Sequence, residues 1–246
     1  MASDGTNLFV LRGGNTTDFW TYNVSQGVWH PLEDAPAKVN DGGAIAFLGG
    51  KLYAFRGGTK KDFWRYDMNT DEWTFLEDAP GNVGDGGALV AVDGHIYAFR
   101  GDDKTDFWRY RSDTGEWESL DPTPAKVKTG AALVGLGDSI YALRGRETDE
   151  FWRYDIEDDA WFQMTDTLAS VKEGGALASD GHNVYALRGK NTTAFWRFVT
   201  DSESWEQAAS TPAKVNAGGA LAHAGDAIYA LRGGDKSDFW NYRIEP

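Results

Sequence analysis

A chain of 246 residues with 41% apolar and 25% charged side chains has the composition of a folded protein with a sizeable core, which excludes a disordered tail. Its 38 acidic against 24 basic side chains leave a formal charge of −14, which repels phosphate backbones and anionic lipid and argues against nucleic acid or membrane as partner. The absence of cysteine excludes disulfides, cysteine–zinc sites and thiol catalysis; no apolar run reaches the roughly 18 residues of a membrane span, and Met1-Ala2-Ser3-Asp4-Gly5 lacks a signal-peptide pattern, so the expected location is cytoplasmic.

The chain opens on Ala2-Ser3-Asp4-Gly5, which matches Ala178-Ser179-Asp180-Gly181 at a distance of 176 residues. Phe-Trp then recurs at Phe19, Phe63, Phe107, Phe151, Phe195 and Phe239, always 44 residues apart. A second tryptophan series (Trp29, Trp73, Trp117, Trp161, Trp205) keeps the same step, as do an arginine series and a Gly-Gly-Ala-like series beginning at Gly42, Gly86, Gly130, Gly174 and Gly218. One period without insertions defines a single propeller domain over 1–246, with repeats 1–41, 42–85, 86–129, 130–173, 174–217 and 218–246.

Within one repeat, Gly87 to Ala91 is a short apolar run ended by Asp93-Gly94, and Ile96 to Arg100 is aromatic-rich and ends at Gly101. Asp106 to Tyr110 follows a polar loop, and Trp117 to Leu120 follows Asp113-Thr114-Gly115. These lengths, compositions and turn residues predict four strands, a to d, and no helix. The fold class is all-β: a β-propeller of four-stranded antiparallel blades, in which neighbouring sheets bury each other's faces. Gly-Gly-Ala is expected within strand a, where sheets converge, and each strand-d indole is expected to fill the wedge between blades. Six blades are predicted, the first with only a stub of strand a and the last without strand d. A five-bladed closure with a composite blade or a strand swap is the alternative. An open edge on the last blade is a place for self-association.

Strand b ends in a double glycine at Gly13-Gly14, Gly57-Gly58 and Gly233-Gly234, and a tyrosine precedes the strand-d tryptophan by seven positions in Tyr22/Trp29, Tyr66/Trp73, Tyr110/Trp117 and Tyr154/Trp161. This combination resembles the kelch-repeat family along the whole chain. It departs from it at Asp102, Arg146 and Lys190, which replace the second glycine, and at Phe198, which replaces the tyrosine. The WD-repeat signature Trp-Asp is missing. The resemblance implies a non-enzymatic binding or scaffold module, with a kelch-type sialic-acid mutarotase and a carbohydrate-binding, lectin-like propeller as alternatives.

The candidate ligand residues are Arg12, Arg56, Arg100, Arg144, Arg188 and Arg232, expected at the channel-mouth face formed by the b–c and d–a loops, with Lys38, Lys126 and Lys214 beside them. Arginine offers a planar fork to carboxylate or phosphate, so a protein partner or a small anionic or sugar ligand is expected there. An acid stands six residues after five of these arginines (Asp18, Asp62, Asp106, Glu150, Asp238), which predicts structural pairs across the b–c hairpin. Ala194 breaks that rule and leaves Arg188 as the best candidate for a ligand. No catalytic set, cofactor or metal is expected, since His30, His95, His182 and His223 occupy unrelated repeat positions. Sequons at Asn15, Asn23 and Asn191 matter only in a secreted chain.

Overall fold

A computed structural model describes residues 1–244, which form two compact units, Met1–Lys126 and the remainder from Val127. In the first unit, blade one contains β1 (Ala2–Ser3), β2 (Asn7–Leu11), β3 (Phe19–Asn23) and β4 (Val28–Pro31). Blade two contains β5 (Ala44–Leu48), β6 (Lys51–Phe55), β7 (Phe63–Asp67) and β8 (Glu72–Phe75), and blade three β9 (Ala88–Val92), β10 (His95–Phe99), β11 (Phe107–Arg111) and β12 (Glu116–Ser119). In the second unit, blade four contains β13 (Ala132–Leu136), β14 (Ser139–Leu143), β15 (Phe151–Asp155) and β16 (Ala160–Gln163). Blade five contains β17 (Ala176–Ser179), β18 (Val184–Leu187), β19 (Phe195–Val199) and β20 (Ser204–Gln207), and blade six β21 (Ala220–Ala224), β22 (Ala227–Leu231) and β23 (Phe239–Arg243).

All six sheets are antiparallel meanders, so the fold is an all-β six-bladed propeller. A single 3-10 turn at Thr200–Ser202 is the one helical element among the described residues, and none of the described residues forms a helix long and apolar enough to cross a membrane. The five-bladed alternative fails because β1 pairs with β2 in its own sheet and β21–β23 form a separate one.

The turn chemistry explains the hairpins. Asp93 and Gly94 join β9 to β10 with φ of 46° and 74°, the double positive φ that a two-residue hairpin needs to match strand twist. The Gly-Gly-Ala stretch corrects one expectation, because strand a begins at the alanine (Ala44, Ala88, Ala132, Ala176, Ala220) and the glycines form the turn before it. Gly174 has φ 82°, which ends a strand, and a Cβ there would lie 2.2 Å from the carbonyl oxygen of Asn216 in the next d–a loop. The small residues are thus required by a close approach of loops, one step earlier than the strand.

Strand b is buried on both faces, as in Ile96, Tyr97, Ala98 and Phe99. Within each unit, blades interlock by one repeated rule. The first phenylalanine of strand c meets the next blade's strand-c ring and strand-d indole: Phe19 lies 5.1 Å from Tyr66 and 5.2 Å from Trp73, Phe63 4.9 Å from Tyr110 and 4.8 Å from Trp117, and Phe151 5.1 Å from Phe198 and 4.8 Å from Trp205. The indole N–H then donates to a carbonyl of the earlier blade, Trp73 to Glu33 at 2.9 Å, Trp117 to Glu77 at 3.1 Å and Trp205 to Thr165 at 3.0 Å. Each buried ring contributes about 2–3 kcal/mol. Trp29 departs from the expectation that each strand-d indole fills a wedge between blades, since it is 39% exposed.

Candidate ligand site around Arg188

The six arginines stand one residue beyond strand b, at the start of the b–c loop. A bridge fastens that loop to the d–a loop at Thr16–Val39, Lys60–Val83, Thr148–Val171 and Thr192–Val215, and these valines are buried. The two loop families therefore meet at one end of each of these blades, which positions the arginine side chains against the d–a backbone.

In the first unit, Arg12 pairs with Asp18 at 3.0 Å, Arg56 with Asp62 at 3.3 Å and Arg100 with Asp106 at 3.1 Å. In the second, Arg144 pairs with Glu150 and Arg232 with Asp238 at 3.0 Å. The expected hairpin pairs are all present. The arginines also have a second task that the sequence did not disclose. The Nε of Arg56, Arg100, Arg188 and Arg232 donates to the carbonyl 18 residues upstream, on Lys38, Asn82, Ser170 and Lys214. Lys38 and Lys214 thus join the arginines through their backbone oxygens while their side chains are exposed, and the Lys126 ammonium stands 3.8 Å from Asp103.

Arg188 keeps the backbone geometry of its repeat, its N–H donating to the Ala194 carbonyl at 3.2 Å and its Nε to Ser170 at 3.1 Å. Its guanidinium has no carboxylate partner among the described residues, and the side chain is half-buried. Around the same loops, Lys190 bonds Glu147 at 2.6 Å and the Ser170 hydroxyl at 3.1 Å, and Lys172 stands 3.8 Å from Glu147 and 3.9 Å from Glu173. The Lys190 hydrogen bond, with the Lys172 and Lys190 charges behind it, holds the Glu147 carboxyl below the usual range. Two lysines therefore face two carboxylates. One oxygen of Glu173, Oε2, is buried without a hydrogen bond and faces the Lys172 ammonium at 3.9 Å, and the Glu173 carbonyl accepts from Lys190 N–H at 2.9 Å, which fixes this residue beside the Arg188 loop.

The chemistry on offer is a cationic fork for an anion, on a loop whose next residues join the Lys190–Glu147 pair. Sequence reading found Arg188 through the missing acid. It missed Lys172 and Glu173, which share one loop, and Glu147 and Lys190, which lie in two others.

The chain belongs to the family described as outer membrane protein assembly factor BamB, whose model matches residues 12–242. No curated protein sequence matches it. A solved structure described as "Structure of YjhT" is similar with a TM-score of 0.79 at 16% identity, over 99% of this chain and 93% of that one, a likeness of fold alone. In all, 1173 solved chains match, so the fold is shared too widely to fix a ligand.

Proposed function

We propose that the protein is a non-enzymatic binding module whose ligand, a small hydroxylated anion or an anionic group on a protein partner, docks at the face of the b–c and d–a loops around Arg188. The observation that carries this reading is the guanidinium of Arg188, left without the carboxylate that each of its five counterparts has. The Ser170 hydroxyl and the Lys190–Glu147 pair beside the Arg188 loop favour a ligand that brings a hydroxyl together with its anion. A sugar acid has both, and this supports the carbohydrate-binding reading and, in its catalytic form, the mutarotase reading as competitors.

Titration of gluconate, N-acetylneuraminate and inorganic phosphate by calorimetry tests the proposal. Arg188→Ala is expected to abolish binding with little loss of stability, and Arg56→Ala to lower stability while leaving binding intact. Equal effects of the two substitutions contradict the assignment. Accelerated anomerisation of N-acetylneuraminate, followed by NMR, would replace the binding module with the enzyme.

A further inference from the structure

We infer that the guanidinium of Arg65, on strand c of blade two, binds a small carboxylate in the place that a glutamate of strand d takes in other blades. Across strands b, c and d, blades three and five carry a row of tyrosine, arginine and glutamate: Tyr97, Arg109 and Glu118 in one, Tyr185, Arg197 and Glu206 in the other. In both, Nε and Nη2 of the arginine donate to a single oxygen of the glutamate, at 3.3 and 2.8 Å in blade three and with Nε at 2.6 Å in blade five. Blade two repeats the row as Tyr53, Arg65 and Thr74. The fork is kept and its acid is replaced.

The Nε of Arg65 is buried and makes no hydrogen bond. A buried N–H without an acceptor is costly, and a fold that retains one calls for a group to receive it. Asp67, two residues on, is taken by Lys51, and Arg65 forms no ion pair among the described residues. Blade four resolves the same row differently. Arg153 also has an unbonded Nε, but Phe162 stands opposite it and covers the guanidinium at 5.2 Å, with Asp155 3.9 Å away. Arg65 has neither ring nor acid. The place of the acid is open to solvent, since the side chains of Glu118 and Glu206 are 43% and 48% exposed and Thr74 is exposed as well. Threonine stops at the γ position where glutamate continues to its carboxylate, and it brings a hydroxyl donor to the same spot. A free carboxylate therefore meets a charged two-donor edge there, the strong form of hydrogen bond for this group. Glu72 lies two residues from Thr74 on the same face of β8 and disfavours a dianion such as phosphate.

The test is titration of acetate, lactate and inorganic phosphate into the intact, isotope-labelled protein at constant ionic strength, read by NMR at the arginine Nε–H resonances. The Arg65 signal is assigned by its loss in Arg65→Lys. Each arginine reports for itself, so the result stands apart from binding at Arg188. Saturable movement of the Arg65 signal with acetate and lactate is expected at roughly millimolar concentration, with slower exchange of that proton with water. Thr74→Glu is expected to move the Arg65 signal toward that of Arg109 and to weaken acetate binding at least about tenfold, because a tethered acid then holds the fork. No saturable movement of the Arg65 signal up to about 100 mM acetate overturns the proposal. Unchanged acetate binding in Thr74→Glu overturns it too, and phosphate binding tighter than acetate overturns the ligand class.

Discussion

Arg188 and Ala194 face each other across the b–c hairpin of blade five with their backbones joined at 3.2 Å, the same bond that Arg232 makes to Asp238 at 3.2 Å. The hairpin is therefore unchanged and a single carboxylate has been removed from it. Ala194→Asp is expected to restore the pair, raise stability by up to about 1 kcal/mol as a partly exposed ion pair does, and abolish anion binding. Urea unfolding and calorimetric titration of the one variant read both effects, and retained anion binding would sink the assignment of Arg188.

Trp64 is fully buried with an indole N–H that has no acceptor, whereas Trp152 and Trp196 donate to Gln163 and Gln207. The residue in the glutamine position of blade two is Phe75, which is 69% exposed and meets Trp64 edge-on at 6.4 Å. Phe75→Gln is expected to stabilise the protein by about 1 kcal/mol, because it supplies the missing acceptor and removes an exposed ring. A urea midpoint equal to or below that of the parent contradicts this.

Acid sensitivity is expected to run through the turns before strand b. Burial pushes the Asp180 carboxyl up, but hydrogen bonds from the N–H groups of Asn183 and His182, with the Tyr185 hydroxyl and the Asn183 side chain, outweigh it and hold the carboxyl below its ordinary 3.8. A group depressed on folding contributes stability that is present above its unfolded value and is lost as pH falls through the folded one. Asp180→Asn is thus expected to cost about 1–3 kcal/mol at pH 7. The gap to the parent should close as pH falls below 3.8. A pH-independent difference in denaturation would refute the assignment.

Gly174→Ala is expected to be among the most damaging small substitutions. A Cβ there adopts φ 82° and strikes the Asn216 carbonyl, a backbone atom that cannot rotate away. A loss above about 2 kcal/mol follows from the left-handed conformation and the clash together. Gly181→Ala provides the control, since it shares the positive φ but has nothing within 4 Å.

The six-sheet architecture was legible in the sequence because every blade is built from the same residues at the same 44-residue step. The spacing of six residues between Arg56 and Asp62 predicted their contact, since a hairpin converts sequence distance into proximity. The turn glycines were placed one step too far inward, because composition signals that space is short without saying whether a strand or a loop needs it. The cluster of Lys172, Lys190, Glu147 and Glu173 escaped for a different reason. Its members come from blades four and five and from the loop joining them, and neighbourhood between loops carries no periodic signal.

The indole that seals Phe151 belongs to Trp205 of the following blade, and the same holds for Phe19 with Trp73 and Phe63 with Trp117. Protection within each unit is thus handed backward along the polypeptide. A blade that frays unplugs its predecessor and leaves its successor's own seal untouched. Erosion of such an array has a direction, and a nick is more harmful to what was synthesised before it than to what came after.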